Sequence, residues 1–400
     1  MKIFAIINIS NENDLQCDSG YIFQRIIAEK LHEKGHEYHI AGADCPAFRN
    51  IQGDYFIKHY ISCGTNRYSA RYNFNFSEFA QLLEQVKPDV IFNCQIELTS
   101  AIRGVLEIFG NKQIPLVSYC HYPALWEHGD SIVPVLDQSL NHAKLGYNIV
   151  FNILTSVLTA DAVLIQSRYA LGLIEHALDY YRLPYPNKIK VLAPPADPMV
   201  ACVYNVYKKG HGEESFFYNH RLYQSYGSAD FLQFAQKVMR KFGLKCVVSD
   251  CMPHRSSERA KINGTPEYFK EMIQNTDNID LINGSVSREQ YRDNIVKNLF
   301  AVAAFRRSCV WSMAAMDCMS LGVPVIAPNY AAYPEFVPQE LLFDNMAAAL
   351  KIIKEIKENK AFRLKVSDKC FRAAQKYGAD KISDRLLKIF EKEISKKCVI

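Results

Sequence analysis

Apolar and polar positions along the chain repeat with two periods, one of strands and one of helices. Lys2 to Ile9 is a nearly unbroken apolar run rich in isoleucine, the mark of a strand buried on both faces. From Gly20 to Lys34 the apolar positions recur at helical spacing until Gly35 stops them, completing one strand–helix unit. The pattern then repeats. Strands are predicted at 36–43, 89–93, 115–119 and 162–166, with helices at 76–86, 99–109, 141–158 and 170–181. Such alternation predicts a parallel, doubly wound sheet.

A second series follows the proline-rich segment 183–198, which reads as an interdomain linker holding a short strand at 189–192. Strands are predicted at 214–218, 245–249, 279–281, 299–304 and 323–327, and helices at 229–241, 265–274, 288–298, 311–321 and 345–358. The last helical stretch, 379–396, is long enough to pack back across the first domain. The expected architecture is α/β, with Rossmann-like domains at 1–187 and 188–376 and a basic closing helix within 377–400. Two doubly wound domains facing a cleft would place their sheet carboxyl ends on its opposite walls, an arrangement suited to two substrates.

Composition narrows the class. A chain of 400 residues exceeds one compact core, and 49% hydrophobic against 22% charged residues excludes a disordered protein. The amino terminus has no small-residue cleavage site and reads as a first strand, not a signal peptide. The longest apolar stretch, 146–165, is interrupted by Asn152, Thr155, Ser156, Thr159 and Asp161, so no transmembrane span is predicted. Twelve cysteines are scattered without Cys-x-x-Cys pairs or zinc-ligand spacing. They read as reduced core residues in a cytoplasmic protein, with neither metal nor cofactor expected. Residues 1–190 hold 16 Lys/Arg against 19 Asp/Glu, leaving 31 against 23 for the remainder of the totals 47 and 42. The last fifty residues alone hold 15 against 7. That excess is either a solvated lysine-rich helix face or a surface for nucleic acid or anionic membrane.

The chemistry concentrates in the segment from Arg306 to Ala327. A strand ends near Phe305, a loop with Arg306, Arg307 and Ser308 follows, and a helix begins near Trp311 and Ser312. Helix-start amides reinforced by guanidinium groups make a diphosphate site. Asp317, farther along that helix, is placed to accept two hydrogen bonds from a ribose diol. Gly322-Val-Pro-Val-Ile326 turns into a buried strand.

Residues 309–326 resemble the donor-site motif of GT-B-fold glycosyltransferases, in particular the large family-four group of retaining enzymes. In that group two glutamates eight residues apart precede an Ala-Met-Ala-x-Gly-x-Pro-Val run. Here Asp317 takes the second glutamate position, Cys318-Met-Ser-Leu-Gly-Val-Pro-Val325 follows, and Cys309 stands where the first glutamate touches the sugar. Tyr218 to Gly227 resembles the Gly-Arg-Leu...Lys-Gly segment whose cations neutralise the leaving diphosphate, with Arg221 at the arginine and Tyr226 at the lysine position. Asn329 to Glu335 resembles the loop whose glutamate ends the donor site. In the first half, Cys17-Asp-Ser-Gly20, Lys34-Gly-His-Glu37 and Ala160 to Ser167 resemble the family's glycine loop, strand start and Ala-Asp...Ser strand.

The resemblance implies a nucleotide-sugar donor, with UDP favoured, and sugar transfer with retention and without a metal. Breaking a sugar–phosphate bond builds charge on the diphosphate, and cations placed there stabilise it. Arg221 is the first choice, with Arg306 or Arg307 replacing the missing lysine, although either arginine is equally well read as a surface ion-pair residue. His121 resembles the histidine that contacts the donor sugar. Glu127 and His128, on the same loop, are candidates to orient or deprotonate an acceptor hydroxyl. Trp311 either stacks on a base or packs in the core. The donor-binding set is thus Gly20, Arg306, Arg307, Cys309, Trp311, Ser312, Asp317 and Glu335. The acceptor readings are a hydroxymethylated base in phage DNA, or a polysaccharide, lipid-linked sugar or small molecule. The departures at Cys309 and Tyr226 raise a further reading, a noncatalytic nucleotide-binding paralogue.

Overall fold

The computed structural model describes residues 1–9, 15, 18–64, 73–128, 131–134, 145–186, 188–203, 205–209, 213–250, 265–284 and 286–397. They fall into two compact units, Met1–Pro195 with Ala379–Ile400, and Ala196–Gly378.

The first unit is built on a seven-stranded parallel sheet. Its strands are β1 (Lys2–Ile6), β2 (Glu37–Ala43), β3 (Ile57–Ile61), β4 (Val90–Asn93), β5 (Leu116–Cys120), β8 (Ala162–Ile165) and β9 (Ile189–Val191), in the order β3-β2-β1-β4-β5-β8-β9. A separate antiparallel hairpin is formed by β6 (Leu125–His128) and β7 (Ser131–Pro134). The apolar run at the amino terminus becomes an interior strand: Ile3, Phe4, Ala5 and Ile6 are at most 1% exposed. Strand order reverses beside β1, which pairs with β2 on one side and β4 on the other. The first helix, Ser19–His32, starts on Asp18, whose carboxylate accepts from the Tyr21 amide at 2.9 Å. The carboxyl-terminal helix Ala379–Lys397 belongs to this unit, with Ile382, Leu386 and Phe390 buried at helical spacing and the Phe390 ring 5.3 Å from Phe92.

The second unit carries a six-stranded parallel sheet of β10 (Glu213–Tyr218), β11 (Lys245–Asp250), β12 (Ile279–Asn283), β13 (Asn298–Val302), β14 (Val325–Pro328) and β15 (Leu342–Phe343), in the order β12-β11-β10-β13-β14-β15. Phe216 and Phe300 stack across β10 and β13, 5.4 Å apart and nearly parallel. Strand order reverses at this pair, so the crevice beyond the carboxyl ends of β10 and β13 is where a doubly wound sheet binds ligands. The expected strand 299–304 stops earlier, at Val302, because the chain leaves the ladder and the Ala304 carbonyl accepts from the Tyr333 hydroxyl at 2.7 Å.

Candidate functional site

The loops after β10 and β13 interlock in the second unit. Gly227 ends the β10 loop at φ +70°, and a Cβ there would lie 2.5 Å from the Phe305 carbonyl oxygen. Glycine therefore meets two demands at once, a left-handed backbone and a close approach. The contact brings Tyr226 beneath Arg306, whose guanidinium lies 4.7 Å from the ring centroid. Arg306 also donates through Nε to Ser308 Oγ at 3.2 Å. A half-buried cation stacked on a phenol and tethered through Nε is pre-organised to meet an anion. Arg307, its neighbour, is exposed.

His220, in the loop after β10, is 7% exposed, with its imidazole ring 5.0 Å from that of Tyr218. Burial, reinforced by the nearby Arg306 charge, pushes its pKa down to about 3, so the ring is neutral. His220 Nε2 and Asn219 Oδ1 are buried and have no hydrogen-bond partner among the described residues. Unsatisfied buried polar groups at a strand's carboxyl end are a feature of binding sites. Arg221 follows, half-buried.

From Arg306 the chain turns through Cys309 and Trp311 into the helix Met313–Ser320. Ser312 is its cap, accepting from the Ala315 amide at 3.1 Å. Cys309 is 3% exposed, its thiol directed at the Trp311 carbonyl at 3.4 Å, and burial pushes that thiol's pKa up. Trp311 is half-buried in aromatic packing, 4.7 Å from Phe336 and 4.9 Å from Tyr377. Asp317 is 7% exposed, and its Oδ2 accepts from the Tyr291 hydroxyl at 3.2 Å. Asn219 Nδ2 in turn donates to that hydroxyl at 2.6 Å. One network thus joins the carboxyl end of β10, the helix Arg288–Val296 and the helix Met313–Ser320. Tyr291 and Asn219 went unnoticed in the sequence. Asn219 stands two residues before Arg221 and was within reach of a motif reading, but Tyr291 carries no local signal.

Arg221, Arg306, Ser312 and Asp317 therefore share the carboxyl end of one sheet, while Glu335 is exposed on the short helix Tyr333–Phe336. In the first unit Gly20 lies in the first turn of the helix Ser19–His32 and not in a loop. His121 follows β5, half-buried, with its ring 5.1 Å from Phe23 and 4.7 Å from Tyr119. The backbone of Glu127 lies in β6, and its side chain, like that of His128, falls outside the described residues, as does Cys17. Among the described residues no cluster of three His, Cys, Asp or Glu is arranged to hold a metal ion, and no helix is long and apolar enough to cross a membrane.

No family profile matches the chain, and no curated protein sequence matches it. Solved structures do. Sucrose-phosphate synthase from Thermosynechococcus elongatus is 12% identical with a TM-score of 0.71, the alignment covering 99% of each chain. The catalytic domain of starch synthase IV from Arabidopsis thaliana, bound to ADP and acarbose, is 12% identical with a TM-score of 0.67, over 98% of this chain and 99% of that one. HepE from Anabaena in complex with UDP is 12% identical with a TM-score of 0.68, over 98% of this chain and all of its counterpart. The chain has the GT-B fold. Because these alignments run the full length, the GT-B likeness covers both sheets and not a single Rossmann-like half. At 12% identity it is the fold that is shared; the site of this GT-B chain is defined by its own residues.

Proposed function

We propose that the chain is a glycosyltransferase that takes a nucleotide-sugar donor, a UDP-sugar in the first instance, and transfers the sugar to an acceptor hydroxyl with retention and without a metal. The observation that carries this reading is the placement of both Asp317 and Arg306 at the carboxyl end of the β10–β13 pair, in a GT-B chain whose structural counterparts include one complexed with UDP-glucose. In the proposed chemistry the diphosphate leaves as its bond to the sugar breaks, and Arg221 and Arg306 stabilise the charge that develops on it. Tyr226, at the lysine position of the resemblance, supplies no cation of its own. Its ring instead carries the guanidinium of Arg306, which supports reading Arg306, over the exposed Arg307, as the second cation.

A thermal-shift screen against UDP, GDP, ADP, TDP and their common sugars tests the reading. At about a hundred times its dissociation constant a bound nucleotide stabilises by roughly 2.7 kcal/mol. Stabilisation by one nucleotide is expected, and Arg221→Ala and Asp317→Asn are each expected to abolish most of it. A chain indifferent to every nucleotide would sink the proposal.

The second reading is a noncatalytic nucleotide-binding protein, which the packed, protonated Cys309 thiol favours. Slow release of free sugar from the donor that stabilises the chain separates the two. Its detection supports the transferase, and its absence together with tight nucleotide binding supports the binding protein. The DNA acceptor reading draws on the basic carboxyl-terminal stretch, and three cations of its last helix are engaged within the first unit: Lys397 pairs with Asp161 at 3.1 Å, Lys396 with Glu393 at 2.6 Å, and Arg385 donates to the Val191 carbonyl at 3.1 Å.

A further inference from the structure

Asp317 is a short side chain given a demanding task in the reading above. The final torsion of an aspartate is broad, so an isolated carboxylate of this kind wanders and loses entropy when a ligand fixes it. Here it is not isolated. Asn219 Nδ2 donates both to the Ala314 carbonyl at 3.1 Å and to the Tyr291 hydroxyl at 2.6 Å. A carbonyl oxygen accepts and never donates, so the first contact fixes which end of the Asn219 amide carries the nitrogen. The Tyr291 oxygen is thereby an acceptor from Asn219, and its single proton is directed to Asp317 Oδ2 at 3.2 Å. Donation runs in one direction, from Asn219 through Tyr291 to Asp317.

The Tyr291 ring also meets a cation. The Arg288 guanidinium lies 5.8 Å from the ring centroid and pairs at 3.5 Å with Asp197, which is 2% exposed. The helix bearing both residues starts on a reciprocal cap, in which Ser287 Oγ accepts from the Gln290 amide at 3.1 Å and Gln290 Oε1 from the Ser287 amide at 3.2 Å.

We propose that Tyr291 is a positioning residue for the nucleotide: it keeps the Asp317 carboxylate oriented to accept from a ribose diol, and so makes the chain select ribonucleoside over 2′-deoxyribonucleoside diphosphates. The proposal rests on the donor-site reading and adds to it a residue and a selectivity.

Calorimetric titration of the full chain tests it, with UDP, ADP and GDP each set against its 2′-deoxy counterpart. The proteins are wild type, Tyr291→Phe, Asp317→Asn and the double variant. Tyr291→Phe keeps the ring and the Arg288 contact while removing one charge-assisted hydrogen bond, so affinity for the ribonucleotide is expected to fall roughly tenfold. Affinity for the deoxy form is expected to fall much less, and in the Asp317→Asn background the second substitution is expected to change nothing further. Asn219→Leu, which removes the donor that aims the hydroxyl, gives the same loss of selectivity in smaller measure and stands in if Tyr291→Phe does not fold. Equal losses for both sugar forms, or losses that add across the double variant, overturn the assignment while leaving the donor site intact. Failure of the wild type to bind any of these nucleotides removes the donor-site reading itself, and this inference with it.

Discussion

His220 closes β10 with an imidazole that burial keeps neutral, and this has a consequence for stability. In the unfolded chain the ring takes its proton near pH 6.5, whereas in the fold it resists until about pH 3. Between these values the unfolded state binds more protons, so stability falls as pH falls. At pH 5.5 the loss assigned to this one ring is about 1.4 kcal/mol. Urea unfolding followed by tryptophan fluorescence at pH 7.5 and 5.5 checks it: wild type is expected to lose about that much more than His220→Gln. His36, His39 and His59, also held below their ordinary values by burial, act in both proteins and cancel in the difference. Equal losses would mean that the folded ring protonates freely. At this scale the sequence revealed residues that lie in contiguous motifs. Arg306, Ser312 and Asp317 fall within twelve positions of one another, so their order alone suggested a shared site. Tyr291 stands 26 residues before Asp317 and meets it only because β13 and its flanking loops fold between them. Hydrogen-bond partners brought together by tertiary packing leave no periodic trace.

Among the elements, helices with strong caps and strands with continuous apolar runs were legible. Asn75, Ser167 and Asn345 each accept from an amide at the start of the helix that follows, and apolar residues recur behind them at helical spacing. Two of the edge strands were harder to see. β3 contains Lys58 and His59 among half-exposed positions, and β15 has two residues, so neither carries a clean run. The helix Lys360–Ala374 was missed because it follows the helix Met346–Glu358 after one residue. Asn359 both ends the first and caps the second, accepting from the Phe362 amide at 3.0 Å. The loops that form the site depend on Gly227 in a way that can be tested. Gly227→Ala places a methyl carbon against the Phe305 carbonyl in a left-handed backbone, and a destabilisation of about 2 kcal/mol or more is expected. Because that contact holds Tyr226 under Arg306, nucleotide stabilisation in a thermal-shift assay is expected to fall even where the variant remains folded. An unchanged response would show that the Arg306 loop keeps its place without the β10 loop.

On the scale of the whole molecule, alternation of strand and helix was enough to anticipate two parallel sheets, because each strand–helix unit reads the same wherever it occurs. What charge counting left open was whether the basic closing helix serves the fold or a partner. Its carboxylates answer in part: Asp380 pairs with Lys30 at 3.5 Å, Asp384 with Lys34, and Glu393 with Lys190 at 3.2 Å. Its cations reach inward as well, Lys397 to Asp161 and to the Lys112 carbonyl. A phosphate backbone would have to compete with these contacts; the exposed lysines along the helix are Lys381, Lys388, Lys392 and Lys396. Each phosphate neutralised steepens the dependence of log K on log salt by about 0.9, so these four lysines support a slope no steeper than about −4. Duplex DNA binding measured from low to moderate salt is therefore expected to be weak and shallow in slope. A slope near −6, which needs about six or seven phosphate contacts, would require a basic surface beyond this helix and would return a modified DNA base to the front of the acceptor candidates.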